Sequence, residues 1–176
     1  MSGTEKAKAI GALKRNSIAD YLKVGGKWEL MNKGFTKLDE NPNAQKDTVT
    51  YIGDVTSSSS IESYQTEFPY DSHVIPSEKA VLALYNTGRN HDTGSDAEFE
   101  YLRVDLFLPV ADQGEGEESY LARKFIVSNE VSSFSGEGGK KITVSGNLSA
   151  VGDFVSGKFD LKTLEFTEGD FSAVTE

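Results

Sequence analysis

The sequence predicts a mainly β protein, an antiparallel β-sandwich or barrel with one flanking α-helix at about residues 77–86. Three observations lead there. Short segments in which apolar and polar residues alternate recur along the chain. Clusters of Gly, Asn, Asp and Pro separate them at close intervals, as turns between strands do. A full helical stripe, backed by start and stop signals, occurs once. The 176 residues fit one domain, and a hydrophobic share of 37% with 10% aromatics is enough for a core.

From Ala7 to Leu22 the helical match is partial, with Ile10, Leu13 and Ile18 spaced among Lys and Ala and weakened by Gly11. Gly25-Gly26 breaks the chain, and Trp28 and Leu30 then alternate with charged neighbours in a first strand. Asn41-Pro42-Asn43 is turn chemistry, and Val49 to Ile52 a short strand. A serine run at Ser57 to Ser60 opens a long segment, about 54–76, that reads as extended and core-free. Nothing between Pro69 and Ser72 looks apolar enough to anchor a core. Ser77 can cap the helix, Glu78 suits its positive end, Gly88 can close it, and Val81, Leu84 and Tyr85 form its stripe.

Phe99 to Leu108 is the clearest strand. Leu102, Val104, Leu106 and Leu108 line one face, and Phe99, Tyr101 and Phe107 share the other with Arg103 and Asp105. Two largely apolar faces place such a strand between layers or against another subunit. An acidic hairpin loop, Asp112 to Glu118, precedes a strand from Tyr120 to Phe134, and Gly136 to Gly139 makes the next turn. Ile142, Val144 and Leu148 follow. Phe159 and Leu161 are then answered by Leu164 and Phe166 across Lys162-Thr163. The count is seven to nine strands and one helix.

Charge is uneven. The formal net charge is −10, yet residues 1–37 carry eight basic residues against three acidic ones. An acidic body repels nucleic-acid phosphates, because binding them requires Lys or Arg to displace counterions. The N-terminal basic residues are too dispersed for a nucleic-acid patch. A basic arm on an acidic body suits head-to-tail contact between copies, which grows rings or filaments. The absence of cysteine excludes disulfide scaffolds, thiolate zinc sites and cysteine nucleophiles. No apolar run approaches a membrane span, and the first residues lack a signal-peptide core, so cytosolic synthesis is expected.

Catalytic motifs do not hold up. Asp92-Thr93-Gly94-Ser95 spells an aspartic-protease loop, but the polar Gly88 to His91 precedes it where a buried strand should. Gly136 to Lys141 lacks the first glycine and the Ser/Thr of a phosphate loop, and a strand follows it. The acidic run Asp112 to Glu118 lacks the alternating oxygen ligands of an EF-hand. His73 and His91 stand alone. The expectation is a non-enzyme without cofactor or metal.

Several ordered stretches carry a resemblance: Arg15 to Leu22, Gly34 to Leu38 leading into Asn41-Pro42, Tyr51-Ile52-Gly53-Asp54, the serine run with Ile61 to Phe68, Gly146-Asn147-Leu148, Val151-Gly152-Asp153, and Gly157 to Asp160 before Phe166-Thr167. Together they cover about 15–168, and the chain resembles the major tail tube protein of long-tailed bacteriophages of Gram-positive bacteria. The prefix 1–14 adds nothing to the match.

The resemblance implies six copies to a ring and rings stacked into a tube. Tape-measure protein would occupy the lumen, tail-tip and tail-terminator proteins would bound it, and double-stranded DNA would pass without specific binding. It implies a place in the virion after assembly in the host cytoplasm, and no membrane. In that family an N-terminal arm and a long inter-strand loop join successive rings. Mapped here, these are an arm at 1–26 on a single domain at 27–176, and the loop at 54–76. The inter-subunit candidates are then Lys14, Arg15, Ile18, Tyr21, Leu22, Ile61, Tyr64 and Phe68. The inner tube of a contractile injection machine would share the ring architecture. A monomeric carbohydrate-binding module would instead present an aromatic platform, for which Tyr64, Phe68 and Tyr70 are available.

Overall fold

A computed structural model describes residues 11–174. It is mainly β and antiparallel with one α-helix, as the alternation implies, and the main sheet curls into a half-barrel. There are eleven strands among the described residues: β1 (Ile18–Val24), β2 (Lys27–Leu30), β3 (Phe35–Leu38), β4 (Ala44–Val49), β5 (Ser58–Tyr64), β6 (Glu67–His73), β7 (Glu98–Pro109), β8 (Ser119–Ser135), β9 (Thr143–Ala150), β10 (Val155–Asp160) and β11 (Glu165–Glu168). Helix α1 (Lys79–Arg89) lies between β6 and β7.

The main sheet runs β2-β1-β7-β8-β9-β6-β3. Strand β8 is its spine. At about 3.3 Å per residue it is long enough for one edge to pair with β7 while the other takes β10 near Ser119 and β9 beyond Val127. Register shifts between Val104 and Pro109 on β7, and between Val131 and Ser133 on β8, bend the sheet. Hairpin β10–β11 pairs Phe159 with Phe166, as the sequence predicts.

Alternation along β7 feeds two cores. Tyr101 joins Leu22, Phe68, Tyr70, Phe125, Val127 and Leu148 on one face, which α1 covers through Ala80 and Leu84. Leu102 and Val104 join Tyr21, Tyr120, Ala122 and Phe159 on the other. Both apolar faces of β7 are thus used within one chain. The buried polar groups in the first core are paired: the Tyr70 hydroxyl donates to Asn129 Oδ1 at 2.8 Å, and Asn129 Nδ2 donates to the Leu84 carbonyl at 3.2 Å.

The helix differs from expectation at both ends. Ser77 does not cap it, since the N-cap is Glu78 and no side chain bonds there. Gly88 does not close it either. The left-handed residue after the helix is His91, at φ 55°. Gly88 serves packing: a Cβ there would stand 2.7 Å from Val131 Cβ and 2.9 Å from the Phe134 ring. The helix can approach β8 only because that carbon is missing.

Three expectations about chain segments need correction. Residues 18–26 do not belong to an arm, because β1 lies inside the sheet between β2 and β7 and buries Asp20, Tyr21 and Leu22. The first ten residues of the expected arm lie outside those described. The segment 54–76 is core-free only in its first half. From Glu67 it becomes β6, an interior strand whose Phe68, Tyr70 and Ser72 point into the core. The strand expected at Val49 to Ile52 ends at Val49, and Tyr51-Ile52 belong to a turn.

Candidate assembly surface

Strands β4 and β5 form a separate two-stranded ribbon, paired from Ala44↔Tyr64 to Val49↔Ser58. Hydroxyl side chains line part of the ladder, and those of Thr48 and Ser59 meet across it at 3.3 Å. Every residue from 41 to 65 is exposed. Its apolar side chains are therefore uncovered: Tyr51 is 67% exposed, Ile52 and Val55 about fully so, Ile61 59% and Tyr64 61%. The connection is a formed turn, with Asp54 N donating to the Tyr51 carbonyl at 2.9 Å. Ile52 stands at its apex.

The root of this ribbon is fixed by charge. Glu40, four residues ahead of β4, receives two hydrogen bonds from Arg123 of β8, at 2.6 and 2.9 Å. Such a bidentate pair fixes orientation as well as distance. Arg103 Nε lies 3.5 Å from Glu40 and 3.7 Å from Asp20. Asp20 in turn accepts from the Tyr101 hydroxyl and from Arg15, which also donates to the Leu38 carbonyl at 3.2 Å. Arg103 is held by carboxylates and by the Phe68 ring 5.9 Å away, its Nε and Nη1 making no hydrogen bond. Burial and the Asp20 carboxylate push the Tyr101 hydroxyl well above its usual range, and burial raises Asp105 as well. Beyond Glu40, Asn41 bridges Glu67, and Gln65 N donates to the Asn43 carbonyl at 3.2 Å. The network joins β1, β7, β8 and the ribbon's root.

The sequence-derived contact residues separate into two groups. Ile61 and Tyr64 stand exposed on the ribbon, and Lys14 is exposed ahead of β1. Arg15 is half exposed but committed to Asp20, and Ile18 is half-buried at the start of β1. Tyr21, Leu22 and Phe68 are core residues, at 7%, 0% and 0% exposure, and cannot face another subunit. With Tyr70 also buried, no platform of Tyr64, Phe68 and Tyr70 exists. Sequence reading named as contacts neither Tyr51, Ile52 and Val55 nor the root clamp. Val55 had a signal, an apolar residue beside a serine run; Glu40 and Arg123 lie too far apart in the chain to be paired by inspection.

The motifs set aside earlier have ordinary places. Asp92 to Ser95 are exposed, and Gly94 and Ser95 open a short 3-10 helix ahead of β7. In the acidic loop before β8, the Glu117 carboxyl is held down to about 2 by hydrogen bonds from Lys158, Ser119 and Gly114. No group of acidic or histidine side chains among the described residues could hold a metal ion, and no helix there is long and apolar enough to cross a membrane.

No protein-family model matches this chain, and no curated protein matches it in sequence. Among solved structures, a chain from the tail of an empty GTA particle, computed with helical refinement in C6 symmetry, is similar in fold. The TM-score is 0.54 at 11% identity, over 81% of this chain and 97% of that one. At that identity the likeness is one of fold.

Proposed function

We propose that this chain is a non-enzymatic structural protein of a phage tail, polymerising as stacked hexameric rings into the tail tube. The observation that carries the reading is the β4–β5 ribbon. An isolated two-stranded hairpin is marginal in water, yet this one is rooted in a buried charge network and displays Tyr51, Ile52, Val55, Ile61 and Tyr64 to solvent. Such a device is built to be covered by a partner. The similar fold in a C6-symmetric tail supports a second copy as that partner and six as the ring number. Residues 1–14 are a further proposed contact between rings.

In this reading the tube is the conduit for double-stranded DNA during ejection. A net charge of −10 favours passage, since a basic lumen would hold phosphates and slow transit. Tape-measure protein fills the lumen before DNA, and tail-tip and tail-terminator proteins close the ends. In this reading the chain assembles in the host cytoplasm and ends in the virion, as the sequence resemblance to tube proteins of long-tailed phages of Gram-positive bacteria implies; the similar fold in a tail particle supports the tail location.

Negative-stain electron microscopy of the purified chain, concentrated stepwise, tests this directly. Hollow rings and tubes are expected. Replacing 44–64 by a short Gly-Ser link should leave the circular-dichroism spectrum of a folded β protein and abolish tubes. Tubes of equal yield from that variant would overturn the assignment.

A further inference from the structure

A groove of about 520 Å³ opens at one end of β3 and β6, lined by Gly34, Phe35, His73, Ile75, Pro76 and Ile142. Its walls are fixed by backbone bonds from His73 N to the Gly34 carbonyl (2.6 Å) and from Val74 N to the Ile142 carbonyl (3.2 Å). Gly34 keeps it open. At φ 90° no other residue fits easily, and a Cβ would meet Val81 Cγ2 at 2.9 Å. Ile142 is 56% exposed on the rim, beside exposed Lys140 and Lys141, and Lys33, the neighbour of Gly34 in sequence, is exposed as well.

The groove and the ribbon occupy opposite ends of one ladder. In β6–β9, Glu67 pairs with Ser149 where the ribbon is rooted, and His73 pairs with Thr143 where the groove opens. The ribbon does not fold back, since residues 41–65 are exposed throughout. At about 3.4 Å per residue its strands carry the tip some 20 Å from the root.

We propose that the turn Tyr51 to Val55 of one copy seats in the groove between Phe35 and Ile142 of the next. This rests on the tube reading above and names the receiving site. The chemistry matches in two respects. Ile52 and Val55 offer aliphatic surface to an apolar cleft. The ribbon is acidic, with Asp47, Asp54 and Glu62 against Lys46, and the residues about the groove are net basic, with Lys33, Lys140 and Lys141 against Glu137. The turn is already formed in the free chain, which lowers the ordering cost of docking. Because donor and acceptor are different surfaces, the contact is heterologous and passes from copy to copy, as a stack of rings requires.

The absence of native cysteine makes the test clean. Ile52→Cys with Ile142→Cys, both exposed, should give a ladder of disulfide-linked multimers after oxidation of the polymer, while either substitution alone gives none. Ile52→Cys with Leu164→Cys, an exposed residue on the β10–β11 turn, is the control and should give no ladder. Tubes that form without the 52–142 ladder, or with an equal 52–164 ladder, overturn the contact and leave the tube reading standing. No polymer from the unmodified chain overturns both. Asp54→Lys should cut polymer yield several-fold, and Lys141→Glu in the same chain should restore part of it. Loss without rescue counts against the groove.

Discussion

Glu40 bears more than its sequence position suggests. It faces two arginines, one of them Arg103 with its side chain 5% exposed, and it lies four residues ahead of β4. Removing one partner from a buried ionic network leaves uncompensated charge, a cost usually larger than the pair's own value. Arg123 is 29% exposed and can reach water, which moderates the penalty. Glu40→Gln is expected to lower stability by about 2–3 kcal/mol in urea unfolding, and to speed protease cutting within 41–65. A change below about 0.5 kcal/mol, typical of surface substitutions, would show that the network does not hold the root. The pairing is invisible in sequence for a plain reason: Glu40 and Arg123 come together only through the curl of the sheet.

Elements were legible in proportion to their alternation. The sequence positions of β7, β8 and the β10–β11 hairpin agree with the structure to within a residue or two, because apolar residues recur at alternate positions along each. Strands β1 and β6 were not legible. In β1 the inward run includes Asp20, whose partners Arg15, Tyr101 and Arg103 are needed before it can be buried. In β6, Pro69 argues against an interior strand, and Ser72 breaks the apolar series; its hydroxyl is satisfied by the Val144 carbonyl at 3.1 Å. Tertiary pairing overrode the local pattern in both. The helix makes the same point with a sign that can be measured. Gly→Ala inside a helix ordinarily gains up to about 1 kcal/mol. At Gly88 the new methyl would overlap Val131, so Gly88→Ala is expected to cost about 1–3 kcal/mol, with Val131→Ala in the same chain recovering part of it. Thermal unfolding of the three variants as a double-mutant cycle reads the coupling. Additive effects would mean that the helix shifts freely on β8.

At the scale of the whole molecule, what the sequence could offer was charge asymmetry and an extended segment. What it could not offer was direction. The structure supplies it by rooting the ribbon at one end of the β6–β9 ladder and opening the apolar groove at the other. Under the contact proposed above, donor and acceptor at opposite ends let rings add along one axis, and nothing in that pairing ends the process. Lateral closure into a ring limits width; it does not limit length. Tubes grown from the purified chain alone are therefore expected to have uniform diameter and a broad, continuous spread of lengths, since any fixed length must come from another protein. Measuring several hundred tubes by electron microscopy checks this. A single sharp length from pure protein would mean that the chain carries its own stop, and the open head-to-tail contact argued from the ladder would be wrong.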